Sequence, residues 1–357
     1  MKKPPSETVA ACALVVAAAG GGRCAPVQPG IGAAVAPSGT QFANPIVSAV
    51  APGGSADPSV VYRDGYYHYC RSVGDTAIGI AKARRLQDIG KAPPVIVWTA
   101  VPGTGYSREV WAPELQYVRG RWYVYFAASD GRNATHRMYV LEGQSQDAQG
   151  AYAFKGRIAA SDDQWAIDGL TLEADDALYF VWSGWRASGD GFPQVLYIAP
   201  MSDPWTISGG RREIAAPDQP WEQVGAPLLE GPAVLYRGGR IHLAYSASGS
   251  WTDDYALGLL TYSGGDILDA RSWVKSRTPV FSKRPEDGVF GPGHNSFVRS
   301  PDGSEDWIVY HGIDASGGGW GQRSVRAQHF GWTSAGMPDF GQPVATGLPL
   351  QQPSGTQ

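Results

Sequence analysis

A short hairpin rich in tyrosine and tryptophan recurs five times along this chain, at a spacing of 56 to 64 residues. In each copy two apolar segments with strand-like alternation flank a tight turn. The turns fall at Asp64, Gly120, Asp176, Gly239 and Gly303. A repeat of this length, built from short strands and Gly or Asp turns, is typical of a β-propeller. Five copies therefore predict an all-β, five-bladed β-propeller in a single domain.

One conspicuous side chain precedes each turn by seven to nine positions. These residues are Asp57, Trp111, Asp168, Glu230 and His294. Because corresponding positions of propeller blades converge on the central axis, we expect all five to line one end of it. Carboxyl groups, a histidine and a tryptophan gathered in one pit favour a chemical site over a hydrophobic core.

Composition sets the predicted boundaries around these repeats. Residues 1–30 begin with Lys2 and Lys3 and continue with an apolar run that is too short to span a membrane, which is typical of a secretory signal. The predicted segments are a signal peptide over 1–30, a linker over 31–43, the propeller over 44–346 and a C-terminal tail over 347–357. We therefore expect a secreted or periplasmic protein without a membrane span.

The cysteines offer a second interpretation of the leader. A lipid anchor on Cys24 is the less favoured alternative, because Arg23 stands where a small residue is usual. A disulfide between Cys24 and Cys70 is also less favoured than a buried thiol at Cys70, which lies in a strand-like segment. The net charge is only -4 and no basic run occurs, so nucleic acid is not an expected partner.

The carboxyl residues match the chemistry of glycoside hydrolysis. That reaction needs one carboxylic acid held protonated and a second carboxylate held ionised. Glu230 stands between Leu-Leu and Gly-Pro, so burial should raise its pKa and suit it to the role of acid. Asp57 suits the role of base, and Asp168 could raise the pKa of Glu230 by charge repulsion. In an inverting site the acid and base stand about 6.5 to 9.5 Å apart.

Three further residues allow two interpretations each. His294 is either a hydrogen-bonded strand residue or faces an ion or water cluster below a sugar, and its surroundings lack the spacing of a zinc site. Trp111 either packs in a blade or stacks on a sugar, and its axial position favours stacking. Glu114 is the main rival to Glu230 as the acid, but strand alternation from Trp111 predicts that it points away.

At these residues the chain resembles glycoside hydrolase family 43, whose five-bladed propellers cleave arabinose- and xylose-containing plant polysaccharides. The matching segments are ADPSVVYRDGYYHYC, WAPELQYVRGRWYVYFAAS, IDGLTLEADDALYFVWSG, LLEGPAVLYRGGRIHLAYSAS and GPGHNSFVRSPDGSEDWIVYHG. The resemblance implies the general base Asp57, the pKa-modulating Asp168, the general acid Glu230, an axial His294 near a calcium or sodium ion, and a sugar-binding Arg323. Propellers that cleave sucrose and fructans use Arg-Asp-Pro and Glu-Cys motifs, whereas this chain has IDG and LEG.

The resemblance implies an inverting exo-acting enzyme that releases terminal α-L-arabinofuranosyl units from arabinan or arabino-oligosaccharides. No cofactor is expected to take part in the chemistry, and a calcium or sodium ion on the axis would be structural. Within the family, a β-xylosidase or an endo-arabinanase is the alternative, because loops around the pit determine the substrate. Outside it, a non-catalytic carbohydrate-binding propeller is the alternative, although such a module would not need the acid, base and modulator together.

Overall fold

Five antiparallel sheets account for nearly all the strands in the computed structural model, which describes residues 40–49, 55–189 and 191–357. The predicted all-β propeller with five blades is therefore confirmed. Blade 1 contains Ser59–Arg63, Tyr66–Val73, Ala77–Ala83 and Val95–Thr99, and blade 2 contains Arg108–Val118, Arg121–Ser129, Arg137–Gly143 and Tyr152–Ile158.

The remaining three blades also run from the innermost strand outward, except that the last two strands of blade 3 both pair with its third strand. Blade 3 contains Ala166–Ala174, Ala177–Trp185, Gln194–Asp203, Thr206–Ile207 and Arg212–Ala215. Blade 4 contains Leu229–Arg237, Arg240–Ala247, Ala256–Tyr262 and Trp273–Lys275, and blade 5 contains Phe290–Arg299, Asp306–Ile313, Arg323–Trp332 and Pro338–Asp339. Short 3-10 turns lie at Leu86–Asp88, Asn133–Thr135, Pro220–Glu222, Ala270–Ser272, Pro285–Asp287 and Gly319–Gln322.

Two-residue turns join the two innermost strands of blades 1 to 4, and a longer loop joins Arg299 to Asp306 in blade 5. In blade 1 the turn residues Asp64 and Gly65 both have positive φ, at 52° and 79°. Gly238 and Gly239 do the same in blade 4, at 54° and 77°. Two central residues with positive φ define the type I′ turn, whose twist matches that of a hairpin. The Gly and Asp residues at these turns supply that conformation.

The core lies between neighbouring blades, where large aromatic side chains pack among aliphatic ones. Trp122, Tyr125 and Tyr245 are almost fully buried, as is the thiol of Cys70. A tryptophan pair, Trp165 and Trp185, stacks with ring centroids 4.7 Å apart. Aromatic rings have the area needed to fill the wedge between two twisted sheets. Most of the aromatic side chains therefore serve packing.

The beginning of the described chain closes the ring of blades. The Ile46 amide donates to the Val325 carbonyl oxygen at 2.8 Å, and the Val325 amide donates to the Val47 carbonyl oxygen at 2.9 Å. The Asn44 side chain exchanges two hydrogen bonds of 2.9 Å with the Ala327 backbone. The segment from Asn44 to Val47 therefore lies along the third strand of blade 5, which joins the first part of the domain to the last blade.

Ordered structure extends beyond both predicted domain boundaries. Gln41–Ala43, placed in the linker by composition, pairs antiparallel with Pro349–Gln351, placed in the tail. Short polar strands of this kind carry too little apolar alternation to stand out in a sequence. The predicted signal peptide over 1–30 and the anchor position Cys24 lie outside the described residues. Within the described ranges no helix is long and apolar enough to cross a membrane.

Candidate active site

The innermost strands of blades 2 to 5 share one irregularity, a β-bulge close to the axis. In blade 2, Trp111 pairs with Ala127 and Glu114 pairs with Tyr125. The innermost strand therefore advances three residues where its partner advances two. The residue at each bulge, and in blade 1 the residue two positions before the strand, adopts a positive φ between 40° and 56°. These residues are Asp57, Ala112, Asp168, Gly231 and His294. Left-handed backbone at residues other than glycine is uncommon and clusters at functional sites.

The bulges show that the predicted set combines two neighbouring positions of the repeat. Asp57, Asp168 and His294 occupy the bulge position itself. Trp111 and Glu230 come one residue earlier, where the bulge residues are Ala112 and Gly231. Counted from the bulge positions, the distances to the five turns are 7, 8, 8, 8 and 9 residues.

One cavity of about 560 Å³ opens at this end of the axis. All six site residues predicted from the sequence line it, namely Asp57, Trp111, Asp168, Glu230, His294 and Arg323. A cavity of this size matches a small-molecule site rather than a packing defect. The structure thus brings together side chains from all five blades.

Asp57 is surrounded by cationic and hydrogen-bonding groups. Its Oδ1 lies 3.2 Å from Nη1 of Arg323, 3.2 Å from Nδ1 of His311 and 3.5 Å from Nδ1 of His294. Burial alone would raise the pKa of Asp57, but the charges of Arg323 and His294 and the His311 contact outweigh it and hold the pKa well below its usual range. Asp57 is therefore ionised at neutral pH.

Glu230 has the opposite electrostatic environment. Burial raises the pKa of its carboxyl group to about 8, and the negative charge of Asp168 adds to that effect. A hydrogen bond of 2.9 Å from the Tyr255 hydroxyl to Oε1 of Glu230 opposes the shift but does not cancel it. Glu230 therefore retains its proton at neutral pH, as a general acid must.

Asp168 connects these two carboxyl groups. Its Oδ2 accepts a hydrogen bond of 3.0 Å from the amide of Gly231, the residue after Glu230, and lies 3.8 Å from Nδ1 of His294. Burial raises the pKa of Asp168 to about 6, although the His294 charge and the Gly231 amide both oppose this rise. At pH 7 Asp168 is ionised and Glu230 is protonated, so the charge of Asp168 helps to hold the proton on Glu230.

We expect Asp168→Asn to move the alkaline limb of the activity profile to lower pH, by roughly one unit. The acid must be protonated to act, and without the neighbouring negative charge Glu230 ionises earlier. The pH dependence of kcat/KM measures the shift, with Asp175→Asn at the exposed turn of the same blade as the control. An unchanged alkaline limb would show that Asp168 does not set the pKa of Glu230.

His294 is buried on the axis between carboxyl groups on both sides. Nδ1 faces Asp57 and Asp168, and Nε2 lies 3.1 Å from Oε1 of Glu114. Burial alone would lower the pKa of His294, but the charges of Asp57 and Asp168 and the contact with Glu114 outweigh burial and raise it to about 10. The ring is therefore an imidazolium cation that hydrogen-bonds to Glu114 through Nε2 and pairs electrostatically with Asp57 and Asp168 through Nδ1.

The position of Glu114 contradicts the prediction that it points away from the site. Simple alternation would place Trp111 and Glu114 on opposite faces, but the bulge at Ala112 adds a residue between them and restores both to the same side. Glu114 therefore reaches the axis, where it supports His294 from below. It is absent from the cavity wall, so Glu230 is the glutamate that faces the pit.

The described residues do not fit an ion bound directly to His294. Both ring nitrogens already contact carboxyl groups, Nδ1 with Asp57 and Nε2 with Glu114. Calcium prefers six to eight oxygen ligands, and among the described residues no group of three or more His, Cys, Asp or Glu side chains is arranged to hold a metal. The calcium or sodium ion predicted from the resemblance, held through water, stays an untested prediction.

A melting experiment addresses that ion. We expect the same melting temperature in chelator and in millimolar calcium, because both ring nitrogens of His294 are already paired with carboxyl groups. A ligand that binds only the folded state raises its stability by mass action. A higher melting temperature in calcium, lost in His294→Ala, would instead establish an ion at this position.

Trp111 and Arg323 border the pit rather than the core. Trp111 is 38% exposed and stacks on His136 with ring centroids 3.8 Å apart, which leaves its other face to the cavity. Arg323 follows the 3-10 turn Gly319–Gln322 and directs its guanidinium group to Asp57. Trp111 can therefore stack on a sugar, whereas Arg323 acts on the carboxylate that we assign as the base.

Two residues of the site were not singled out in the sequence. His311 and Arg323 both contact the carboxylate of Asp57. Burial lowers the pKa of His311 to about 4, so the His311 ring is neutral at pH 7. Tyr255 stacks on His311 at 5.5 Å and donates to Glu230. Both residues come from the strands and loops behind the innermost strands, so their spacing from the turns gave no signal.

Comparison with known proteins gives a match to one family profile and to several enzymes. The profile of Glycosyl hydrolases family 43 matches residues 42–338. An extracellular exo-alpha-(1->5)-L-arabinofuranosidase of Streptomyces avermitilis is 37% identical over 95% of this chain and 69% of its own length. Alpha-L-arabinofuranosidase 43 of Humicola insolens is 38% identical over 82% of this chain and 62% of its own length.

A solved structure shows the same architecture. The crystal structure of alpha-L-arabinofuranosidase from Lactobacillus brevis superposes with a TM-score of 0.79 at 36% identity, covering 85% of this chain and 98% of that one. The match to the family profile spans all five blades. With its five-bladed fold and its acidic axial pit, this chain belongs to glycosyl hydrolase family 43 and is a glycoside hydrolase.

Proposed function

We propose that this enzyme is an inverting, exo-acting α-L-arabinofuranosidase that releases terminal arabinofuranosyl units from arabinan or arabino-oligosaccharides. The names of the relatives from Streptomyces avermitilis, Humicola insolens and Lactobacillus brevis support the sugar. The name of the Streptomyces avermitilis relative supports exo action, and the pit that would hold the terminal sugar is walled by residues of five blades.

The observation that carries the proposal is the opposite protonation of two carboxyl groups on one cavity. Asp57 is held ionised by Arg323 and its neighbours, while burial and Asp168 keep the proton on Glu230. An ionised base and a protonated acid are the pair that single-step glycoside hydrolysis requires at neutral pH. A module that only binds sugar would gain nothing from this separation.

The proposed reaction is a single displacement. Asp57 takes a proton from a water molecule as the oxygen of that water forms a bond to the anomeric carbon. The bond from that carbon to the leaving oxygen breaks, and Glu230 gives its proton to that oxygen. The imidazolium of His294 stays between Asp57 and Asp168 and limits the repulsion of the two negative charges.

The anomeric configuration of the first product tests the mechanism. Proton NMR of a fresh reaction with α-1,5-arabinobiose should show β-arabinofuranose before mutarotation, because a single displacement inverts the anomeric carbon. Early α-product would overturn the inverting assignment. A panel of nitrophenyl arabinofuranoside, nitrophenyl xyloside, debranched arabinan and arabinoxylan tests the substrate, and turnover of the xyloside alone would favour a β-xylosidase.

Export from the cytoplasm is also part of the proposal. Relatives from Streptomyces avermitilis and Streptomyces chartreusis are named extracellular, and residues 1–30 have the composition of a secretory signal. Polymeric arabinan is too large to enter a cell, so an enzyme that acts on it would work outside. Fractionation of the native producer, with antibody detection of the enzyme in the medium, tests this location.

A further inference from the structure

Tyr255 is fully buried behind the general acid Glu230. Its hydroxyl donates a hydrogen bond of 2.9 Å to Oε1 of Glu230, and its ring does not line the catalytic cavity. A buried phenol hydroxyl needs a hydrogen-bond partner. When that partner is a carboxylic acid, the bond also influences how the acid holds its proton. Tyr255 can therefore act on the reaction without contacting a sugar.

Blade 4 brings the two side chains together through the register of its strands. Glu230 on the innermost strand pairs with Ser246 on the second, and Tyr255 immediately precedes the third strand, Ala256–Tyr262. The Ser246 hydroxyl accepts a hydrogen bond of 2.7 Å from the backbone amide of His294. Because an amide N–H only donates, the proton of the Ser246 hydroxyl is left for the Tyr255 hydroxyl, to which Ser246 hydrogen-bonds. The direction of donation therefore runs from His294 toward Glu230.

Two neighbours hold the ring of Tyr255 in place. It stacks on His311 with ring centroids 5.5 Å apart and the ring planes inclined by only 4°. It also lies against Gly293, where an added Cβ would stand 2.3 Å from Cε1 of the ring, so a larger residue would displace the phenol. A side chain locked by packing keeps its polar group at one position. The hydroxyl of Tyr255 is thus a fixed donor.

This donor makes the two carboxyl oxygens of Glu230 different. A protonated carboxyl group has one O–H donor, and its other oxygen is the better acceptor. Glu230 keeps its proton at neutral pH, because its pKa is raised to about 8. Since Oε1 accepts the hydrogen bond of Tyr255, the proton of the acid belongs on Oε2.

We propose that Tyr255 is a positioning residue, which holds Oε1 of Glu230 as an acceptor and thereby directs the proton on Oε2 toward the leaving oxygen. The role rests on the proposed function, in which Glu230 is the acid. A general acid needs its proton within hydrogen-bond reach of the atom that it protonates. A small misplacement of a reacting group costs up to about 100-fold in rate. Tyr255 thus supplies orientation, whereas burial and Asp168 keep the proton on the acid.

The same hydrogen bond gives Tyr255 a second, measurable effect on Glu230. Burial and the carboxylates Asp168 of blade 3 and Asp57 of blade 1 raise the pKa of Glu230. The Tyr255 hydroxyl and the imidazolium of His294 in blade 5 lower that pKa. A hydrogen bond donated to a carboxylate stabilises its ionised form. Without the hydroxyl, Glu230 should therefore keep its proton to higher pH.

Tyr255→Phe removes the hydroxyl and keeps the ring that packs on His311 and Gly293. We expect the alkaline limb of kcat/KM to move to higher pH by roughly one pH unit, opposite to the shift expected for Asp168→Asn. At the pH optimum the loss should be roughly tenfold on α-1,5-arabinobiose, whose leaving oxygen needs a well-placed proton. On nitrophenyl arabinofuranoside it should stay within about threefold. A purely structural role would lower both substrates alike and leave the limb unmoved.

Tyr245→Phe is the matched control. Tyr245 is also a fully buried tyrosine of blade 4, and its hydroxyl donates a hydrogen bond of 2.8 Å to the buried Glu222, but neither residue lines the cavity. This variant should change neither the alkaline limb nor the ratio of the two substrates. Thermal unfolding checks that each variant folds. If Tyr255→Phe does not fold, Ser246→Ala carries the test, because it weakens Tyr255 as a donor and should move the limb in the same direction.

Infrared spectroscopy locates the proton without turnover. The C=O stretching band of protonated Glu230 is the band that disappears in Glu230→Gln. A hydrogen bond accepted by the carbonyl oxygen lowers the frequency of this band. If Oε1 is that oxygen, the band should move to higher frequency in Tyr255→Phe and stay in place in Tyr245→Phe.

The outcomes separate the positioning role from the proposed function. If the wild type cleaves both substrates and Tyr255→Phe leaves either the alkaline limb or the infrared band unmoved, Tyr255 does not position the proton, although the proposed function stands. If the wild type cleaves neither substrate, the proposed function fails, and the positioning role fails with it. An upward move of both limb and band, with the larger loss on arabinobiose, supports the role of Tyr255.

Discussion

Glu230→Ala should reduce kcat/KM on arabino-oligosaccharides by roughly 10²- to 10⁴-fold, the usual contribution of a general acid. A sugar alkoxide is a poor leaving group and needs the proton that Glu230 retains because its pKa is raised to about 8. Nitrophenolate needs little protonation, so the loss on nitrophenyl arabinofuranoside should be much smaller. Steady-state kinetics on both substrates measures this difference.

The control for this comparison is Glu213→Ala, which removes a glutamate from the outer strand Arg212–Ala215 of blade 3. It should affect neither substrate. An equal loss on both substrates in Glu230→Ala would mean that Glu230 does not donate the proton. Glu114 is then the remaining glutamate near the axis, although its carboxyl group meets His294 instead of the pit.

Asp57→Ala should lower turnover of every substrate alike, again by roughly 10²- to 10⁴-fold. Activation of water by the base is needed whatever the leaving group is. The variant also leaves Arg323 and His294 without their shared carboxylate, so an additional loss from misplaced side chains is expected. Single-turnover rates on arabinobiose and on nitrophenyl arabinofuranoside give the comparison.

Asp64→Ala, at the exposed turn of the same blade, controls for the loss of a negative charge near the first strand. If Asp57→Ala spared the nitrophenyl substrate, Asp57 would act on the leaving group, and its assignment as base would be wrong. Together Glu230→Ala and Asp57→Ala assign acid and base independently, since only loss of the acid should affect poor leaving groups more than good ones.

The five-bladed fold could be predicted because each hairpin repeats its own local chemistry. Turn residues with positive φ, such as Asp64 and Gly65, recur with apolar alternation on both sides. Local signals of this kind survive in a single sequence. The pairing of Gln41–Ala43 with Pro349–Gln351 joins two segments that are distant in the sequence. Nothing in the local sequence of either segment predicts its partner.

For the candidate site, the sequence repeat predicted residues that the structure places on one cavity. The catalytic roles of these residues remain predictions. Glu114 was misplaced for one physical reason, since alternation assumes an unbroken strand and the bulge at Ala112 breaks it. His311 and Tyr255 act through contacts across the fold, so no spacing could reveal them. The protonation of Glu230 was foreseeable from its apolar neighbours, but that of His294 required the positions of three carboxyl groups.

The closure of the ring has a consequence for biosynthesis. Asn44 hydrogen-bonds to Ala327, which lies 283 positions further along the chain, and Asp57 pairs with Arg323, which lies 266 positions further along. A ribosome adds about 5 to 20 residues per second, so many seconds pass between synthesis of the first blade and synthesis of the last-blade residues that contact it. Long-range contacts of this kind form late in folding. Asp57 therefore meets Arg323 only once the last blade is made, so we expect a nascent or truncated chain that lacks this blade to be unable to hydrolyse sugar.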